Sequence, residues 1–309
     1  MTSATLRIAT RASQLALWQA EHVATLLRAA HPELDVEIVH ISTIGDRDQK
    51  EPLANMGGQG VFTREVQHAL LDDRADVAVH SLKDLPTQVT NQELYLAAIP
   101  AREEVADALV LPAGSEQISD VTTLPEGARI GTGSMRRQAQ LLHSRPDFQV
   151  SSIRGNVETR LRKLDEGEYD AIILAAAGLK RLKLADRISL KLGPPLMLSA
   201  VGQGALGLEC RTSDQTTREF LAALNEPTTA AAATAERALL NELKAGCHAP
   251  VGTNSQTNGA ELTLEGVVLS TDGKERLYAK ATGSLSGADQ LGRALARDLL
   301  EQGAARLID

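Results

Sequence analysis

Arginines stand at several predicted turns of the sequence, often beside glycine or serine. A guanidinium group pairs bidentately with a carboxylate or a phosphate, and each charge-assisted hydrogen bond contributes roughly 1.5–3 kcal/mol. This pattern predicts a site for a small ligand with several negative charges, and leaves phosphate and carboxylate both open. The arginines concerned are Arg11, Arg136, Arg137, Arg154, Arg160 and Arg181.

A second group of reactive side chains lies in the stretch His80-Ser81-Leu82-Lys83-Asp84-Leu85-Pro86, which follows a predicted apolar strand. There Asp84 could accept a substrate N–H and stabilise a developing positive charge, while Ser81 and Lys83 could hold an anionic group. A solvated turn with a local ion pair between Lys83 and Asp84 explains the same residues equally well. The stretch lacks the S-x-x-K spacing and any triad signature.

The two cysteines differ in their surroundings. Cys247 lies in A-G-C-H-A-P, where Gly246 is predicted to end a helix and leave the thiol on an accessible loop, which favours a reactive role. Adjacency to His248 does not by itself make a Cys–His pair. Cys210, in the strand-like G-L-E-C-R, is predicted to be a small buried hydrophobic residue.

The remaining motifs are weaker indicators of function. The turn G-T-G-S-M-R-R could bind anions at a helix start but lacks the spacing of a phosphate-binding P-loop. Arg162 and Lys163 are interpreted as a solvated helix face. No metal site is predicted, because His40, Asp46 and Asp48 are too loosely spaced.

Composition limits the class of protein. The 309 residues are 43% hydrophobic and 23% charged, as in an ordinary globular protein. A net charge of −8 and 2% aromatic residues argue against nucleic-acid binding. The sequence shows neither a membrane span nor the apolar core of a signal peptide, so we expect a cytoplasmic protein with no membrane partner.

Apolar strands alternate with amphipathic helices, which predicts an α/β fold. Ser13 is the expected N-cap of the first helix, and the polar segment 42–60 is expected to form a mobile loop. The pattern then repeats: Arg129–Ser134 echoes Arg7–Ser13, and a helix and strand over 157–174 echo those over 62–79. Two similar lobes are therefore predicted, with ligands expected beyond the carboxyl ends of their strands, in a cleft between the lobes.

A smaller third domain is predicted at the C-terminus, with an alanine-rich helix from Pro227 to about Lys244, two strands around the turn T-D-G-K, and a last helix over 287–302. The predicted boundaries are 1–99 with 200–218 for the first domain, 100–199 for the second and 219–309 for the third.

The motifs together resemble the porphobilinogen deaminase family, also called hydroxymethylbilane synthases, across nearly the whole chain. The similar stretches are R-I-A-T-R-A-S-Q-L-A-L-W-Q, F-T-R-E-V, A-D-V-A-V-H-S-L-K-D-L-P, G-T-G-S-M-R-R-Q, R-G-N-V-E-T-R-L, A-G-L-K-R-L, V-G-Q-G-A-L and A-E-R-A-L-L-N-E-L-K-A-G-C-H-A-P-V-G. The resemblance implies two lobes like those of periplasmic binding proteins and a third domain.

It also implies a transferase of porphyrin, and hence heme, biosynthesis that condenses four porphobilinogen molecules head to tail, releases ammonia and forms linear hydroxymethylbilane. The family carries a dipyrromethane cofactor on one cysteine through a thioether, and Cys247 matches that cysteine. Asp84 matches the catalytic carboxylate. The product would pass to the next enzyme of tetrapyrrole synthesis, and a monomer is expected.

The resemblance further implies which residues bind the acetate and propionate groups of the pyrroles. Phe62 would pack on a pyrrole ring, and Arg11, Arg160 and Arg181 would bind substrate. Cofactor-binding residues would be Ser13, Ser81, Lys83, Thr132, Ser134, Arg136, Arg137 and Arg154.

The sequence departs from the family at Asn55 and Gln59, where lysines are common, and at His248 beside the cysteine. A noncatalytic, two-lobed binding protein for a small polyanion is the alternative, and it gives no role to Asp84 or Cys247.

Overall fold

The structure is a computed structural model that describes residues 5–41, 63–88, 91–246 and 249–308. The chain divides into two compact units, the first formed by Met1–Glu103 and Ala205–Ala230 and the second by Glu104–Gly204 and Ala231–Asp309. Within the described residues, no helix combines the length and apolar character that a membrane crossing requires.

The first unit contains an α/β lobe. Its elements are β1 (Thr5–Arg11), α1 (Gln14–Ala30), β2 (Asp35–Ile41), α2 (Arg64–Leu71), β3 (Val77–Ser81), β4 (Leu94–Ala98), β10 (Leu206–Arg211) and α6 (Gln215–Ala222). The sheet order is β2-β1-β3-β10-β4. β1 is parallel to β2 and β3, whereas β10 runs antiparallel to β3 and β4.

Apolar residues cover both faces of this sheet. Ile8 of β1 packs in a cluster with Leu27 of α1, and the next residue, Ala9, packs in a separate cluster with Leu70 of α2. Successive side chains of a strand point to opposite faces, which explains why buried parallel strands are apolar without interruption. The Ser13 hydroxyl caps α1 by accepting a hydrogen bond from Ala16 N at 3.3 Å, as predicted.

The second unit contains a lobe of the same design. Its elements are β5 (Asp107–Val110), β6 (Arg129–Gly131), α3 (Met135–Ser144), β7 (Gln149–Ser151), α4 (Val157–Asp165), β8 (Ala171–Ala175), α5 (Ala176–Arg181) and β9 (Leu190–Leu192). The order β7-β6-β8-β5-β9 repeats that of the first sheet, with β6 parallel to its two neighbours and β5 antiparallel to β8 and β9.

One ion pair recurs at the same place in both lobes. In the first, Arg7 donates its backbone N–H and a guanidinium N–H to Asp76, at 2.9 and 2.8 Å. In the second, Arg129 makes the corresponding bonds to Asp170 at 2.7 and 2.8 Å. Each arginine begins or nearly begins a strand, and each aspartate precedes the parallel neighbour. The repeat predicted from the sequence is confirmed.

The C-terminal part of the second unit is a small α+β domain. It comprises α7 (Pro227–Glu242), whose residues up to Ala230 are counted in the first unit, and then β11 (Val251–Asn258), β12 (Glu261–Leu269), β13 (Arg276–Ser284), α8 (Ala288–Glu301) and α9 (Ala305–Ile308). The three strands form an antiparallel sheet, and the predicted turn T-D-G-K joins β12 to β13 with Gly273 at a φ of 73°. Leu239 of α7, Leu264 of β12 and Leu295 of α8 share its core.

The predicted role of Gly246 in ending α7 is wrong. The helix ends at Glu242, and Lys244, at a φ of 52°, takes the left-handed position expected of Gly246. Ala245 N then bonds to Leu240 O at 3.2 Å, which completes a Schellman turn. Because Leu243 and Ala245 are both buried, the chain turns at the exposed lysine between them.

The predicted fold class, two α/β lobes and a small C-terminal α+β domain, is confirmed. Leu221 and Leu224 pack in the core of the first lobe, so its contacts extend past residue 218. The three domain boundaries remain predictions.

We predict that Gly292→Ala destabilises the C-terminal domain. A Cβ at Gly292 of α8 would overlap the backbone carbonyl of Ala235 in α7. Alanine favours a helix by about 1 kcal/mol over glycine, but overpacking costs about 1–3 kcal/mol, so we expect a net loss. Gly283→Ala is the control, because its Cβ would make ordinary contacts with Leu291, the nearest at 3.5 Å. Urea unfolding that ranked the two variants as equally stable would contradict this account.

Candidate functional site

In the first unit, predicted site residues meet at one edge of the sheet. β1 and β3 are parallel neighbours, with Ile8 opposite Val77, so their carboxyl ends lie at the same edge. Arg11 ends β1, Ser13 caps α1 and Ser81 ends β3. Lys83 and Asp84 follow in a short 3-10 helix over Leu82–Asp84.

That short helix is fixed by its apolar neighbours. Leu82 and Leu85 are buried, and Leu85 N donates to Leu82 O at 3.2 Å. Asp84, between them, is exposed to solvent. A carboxylate on an anchored turn is available to a ligand without a change in the fold.

In the second unit, predicted residues again follow the carboxyl ends of parallel strands. Thr132 and Ser134 come after β6, Arg154 comes after β7, and Arg181 ends α5, which begins directly after β8. Arg160, on α4, donates its Nε–H to Gly155 O at 2.8 Å. Arg181 is buried and donates from Nη2 to Gly204 O at 2.7 Å.

The second unit contains a buried ion cluster. Asp107 of β5 is 0% exposed and accepts hydrogen bonds from Arg136 Nη1 at 2.7 Å and from Arg137 Nε at 2.9 Å. Gln203 Nε2 adds a third bond to this carboxylate at 2.9 Å. The two arginines belong to the first turn of α3, so Asp107 joins that turn to strand β5 of the sheet.

The cluster carries more positive than negative charge. Arginine side chains are positively charged in proteins, and burial lowers the pKa of Arg137. Among the described residues, one carboxylate, that of Asp107, pairs with the two guanidinium groups. The Nε–H of Arg136 is buried and has no hydrogen-bond partner among the described residues. Buried donors and buried charges are normally paired, so the arrangement suits a further anionic acceptor.

Cys210 lies in β10, where it is completely buried. Burial raises the pKa of its thiol to about 11, which leaves almost no thiolate at neutral pH. The prediction of a structural cysteine is confirmed.

Comparisons with known proteins match almost all of this chain to one family. Residues 6–219 match the model described as porphobilinogen deaminase, dipyromethane cofactor binding domain, and residues 230–301 match the porphobilinogen deaminase C-terminal domain. A porphobilinogen deaminase from Syntrophotalea carbinolica is 49% identical over 308 residues, covering 100% of this chain and 96% of the relative. The chain belongs to the porphobilinogen deaminase family.

Solved structures outside the deaminases are more distant. The aliphatic sulphonate binding protein SsuA from Escherichia coli is 14% identical, covers 79% of this chain and 71% of its own, and has a TM-score of 0.43. A Salmonella typhimurium periplasmic binding protein is 13% identical, covers 74% and 94% of the two chains, and has a TM-score of 0.42. These identities and TM-scores are too low to support a conclusion about ligand or activity.

Several residues that the deaminase resemblance singled out lie outside the described residues. They are the attachment cysteine Cys247, its neighbour His248, the ring-packing Phe62, and Asn55 and Gln59 of the predicted loop. Their roles stay predictions.

Three buried polar residues of this deaminase were not predicted from its sequence: Asp107, Gln203 and Gln19. Each is a polar residue completely or almost completely buried, and Asp107 and Gln203 interrupt apolar stretches, V-A-D-A-L-V and A-V-G-Q-G-A. A polar residue in such a stretch is the available signal, because burial without a partner is costly. The signal does not identify the partner.

We predict that Asp107→Asn destabilises this deaminase in a pH-dependent way. Despite the opposing effect of burial, Arg136 and Arg137 hold the pKa of the Asp107 carboxyl well below its ordinary 3.8. A carboxyl whose pKa is lowered by folding stabilises the protein above its unfolded pKa and loses that contribution as the pH falls toward the folded pKa. Breaking a buried pair costs about 3–5 kcal/mol.

The measurement is urea unfolding of both proteins from pH 7 to pH 2.5. The difference in free energy of unfolding should be constant above about pH 4.5 and then shrink by about 1.4 kcal/mol per pH unit below about 3.8. A difference that stayed constant over the whole range would contradict the assignment.

Proposed function

We propose that this chain is a hydroxymethylbilane synthase that condenses four porphobilinogen molecules head to tail, with loss of ammonia at each condensation. Its full-length match to porphobilinogen deaminases supports this. The observation that carries the proposal is the excess of positive charge at Arg136 and Arg137 within the matched cofactor-binding domain. A noncatalytic polyanion-binding protein would also use that charge, but it leaves the exposed Asp84 without a task.

The residues of the second unit fit a dipyrromethane cofactor. Its acetate and propionate groups are acceptors, and the buried Nε–H of Arg136 is a donor without a described partner. Arg136 and Arg137 would hold these carboxylates, helped by the hydroxyls of Thr132 and Ser134 and by Arg154. Cys247 would carry the cofactor through a thioether. When bound, the cofactor supplies the pyrrole carbon from which the product chain is extended.

Asp84 performs the electrostatic part of the reaction in this proposal. Each condensation breaks the bond between the aminomethyl carbon and its nitrogen, forms a carbon–carbon bond and releases a proton. A fixed carboxylate can accept the pyrrole N–H, stabilise positive charge that develops on the substrate as ammonia leaves, and take part in removing the proton.

The remaining cationic and hydroxyl groups bind substrate or cofactor carboxylates. In the first unit these are Arg11, Ser13, Ser81 and Lys83, and in the second they include Arg160 and Arg181. Phe62 would pack on a pyrrole ring. Such contacts act mainly through binding and orientation.

We also propose that the enzyme is a cytoplasmic monomer that passes its product to the next enzyme of tetrapyrrole synthesis. Light scattering during size-exclusion chromatography tests the oligomeric state: the mass of one chain is expected, and twice that mass would overturn the monomer.

We predict that protein incubated with porphobilinogen carries a covalent adduct on Cys247. Its intact mass should exceed that of the bare chain by two porphobilinogen molecules less two ammonia molecules. In denaturant, one thiol should react with a disulfide reagent rather than two, because only Cys210 remains free. Cys247→Ser should show the bare variant mass and one thiol. Two thiols and the bare mass in a protein that turns over porphobilinogen would exclude the proposed attachment.

We predict that Asp84→Asn lowers kcat by about 100-fold or more, because the neutral amide cannot stabilise developing positive charge. Carboxylate binding by the arginines should persist, which calorimetric titration with porphobilinogen would measure. Asp35→Asn, an exposed change at the start of β2, should leave kcat unchanged. Nearly full turnover in Asp84→Asn would contradict the catalytic role proposed for Asp84.

A further inference from the structure

A buried amide on α1 contacts one of the proposed carboxylate-binding hydroxyls. Gln19 is 3% exposed, and its Nε2 lies 2.8 Å from Ser81 Oγ at the end of β3. The start of α1 is held against β1 by Thr10, whose hydroxyl donates to Ala16 O at 3.0 Å. Gln19 therefore reaches Ser81 from a helix whose position is fixed.

The hydrogen bond from Gln19 determines whether the Ser81 hydroxyl can donate its own hydrogen to another group. A hydroxyl has one hydrogen to donate and two lone pairs with which to accept. When Gln19 donates to Ser81 Oγ, the serine keeps its own hydrogen. Among the described residues, no acceptor takes that hydrogen. Ser81 is thus prepared to donate to a ligand.

We infer that Gln19 is a positioning residue that commits the Ser81 hydroxyl to donate to an ionised carboxylate. The inference rests on the proposed function, which supplies the carboxylate from substrate or cofactor. An ionised carboxylate only accepts hydrogen bonds, so a hydroxyl already engaged as an acceptor is its matching partner.

The same arrangement occurs at two other proposed binding hydroxyls. Ser13 Oγ accepts from Ala16 N at 3.3 Å in the first unit, and Thr132 Oγ1 accepts from Ser134 N at 3.2 Å in the second. At those positions a backbone N–H directs the hydroxyl. At Ser81 a side chain does so, and a substitution can therefore reverse the direction.

The first experiment tests the direction of the hydrogen bond without using activity. The Gln19 side-chain amide signal is assigned in 15N NMR spectra by its loss in Gln19→Glu. If Nε2 donates to Ser81, one amide hydrogen exchanges slowly with solvent and its signal moves in Ser81→Ala. An amide signal that is indifferent to Ser81→Ala would mean that Oε1 accepts from the serine, and would overturn the inference.

The second experiment tests the consequence for binding. In Gln19→Glu the carboxylate accepts the Ser81 hydrogen, so both Gln19→Glu and Ser81→Ala should weaken ligand binding by about 10-fold or more, the loss expected for a hydrogen bond to a charged group. If the affected carboxylate belongs to the substrate, KM for porphobilinogen rises and kcat changes little. If it belongs to the cofactor, the fraction of chains with the covalent adduct falls instead.

A double variant that combines Gln19→Glu with Ser81→Ala distinguishes this mechanism from charge repulsion between the introduced carboxylate and the ligand. If Gln19→Glu acts by capturing the Ser81 hydrogen, it has little further effect in the Ser81→Ala background. If the loss of affinity in the double variant instead equals the product of the losses in the two single variants, the inference is overturned. Gln19→Met adds no acceptor and leaves the serine hydrogen available, so its effect should be smaller than that of Gln19→Glu.

Failure of the proposed function and failure of the inference about Gln19 would give different results. A wild-type protein that neither turns over porphobilinogen nor forms the adduct contradicts the proposed function, whereas the NMR result still decides the direction of the Gln19–Ser81 bond. If Gln19→Glu fails to fold by circular dichroism, the Ser81→Ala spectrum and Gln19→Met decide the inference, since the Gln19 amide is then assigned from Gln19→Met.

Discussion

The carboxylate of Asp107 is the interaction on which the second unit depends most. It neutralises one of two adjacent buried guanidinium groups and also accepts from Gln203, in the segment that leads out of the lobe. Without it, two positive charges would face each other in an interior that solvates charge poorly. With it, α3, β5 and that segment are joined at one point, and among the described residues the cluster keeps one positive charge in excess.

The repeated lobes were predictable because the sequence patterns that indicate them lie in short, continuous segments of the chain. Alternating apolar segments and the echo of Arg7–Ser13 in Arg129–Ser134 follow the chain in order, and each lobe repeats one strand order. Even the recurring pairs, Arg7 with Asp76 and Arg129 with Asp170, are present in the sequence. Their function as matched anchors becomes visible only when the parallel strands are adjacent.

Contacts between residues that are distant in the sequence, and that meet only through the order of the strands, were not predictable. Asp107 and Arg136 are 29 residues apart, and they meet because the antiparallel strand β5 lies beside β8 in the sheet. Gln19 and Ser81 meet for a similar reason, across a helix and a strand. The end of α7 shows a local rule that failed: glycine is preferred in a left-handed position, but the burial of Leu243 and Ala245 placed Lys244 there. The candidate catalytic residue was found from sequence, whereas the side chains that direct its neighbours were not.

The hydroxyls of Ser13, Ser81 and Thr132 each accept an N–H from the protein itself. In each lobe, these groups are therefore polarised in one direction before a ligand arrives. In the proposed function, hydroxyls of this kind would bind a deprotonated acid in preference to its neutral form. The deprotonated acid only accepts hydrogen bonds, whereas the neutral form brings a hydrogen that these hydroxyls have less capacity to accept.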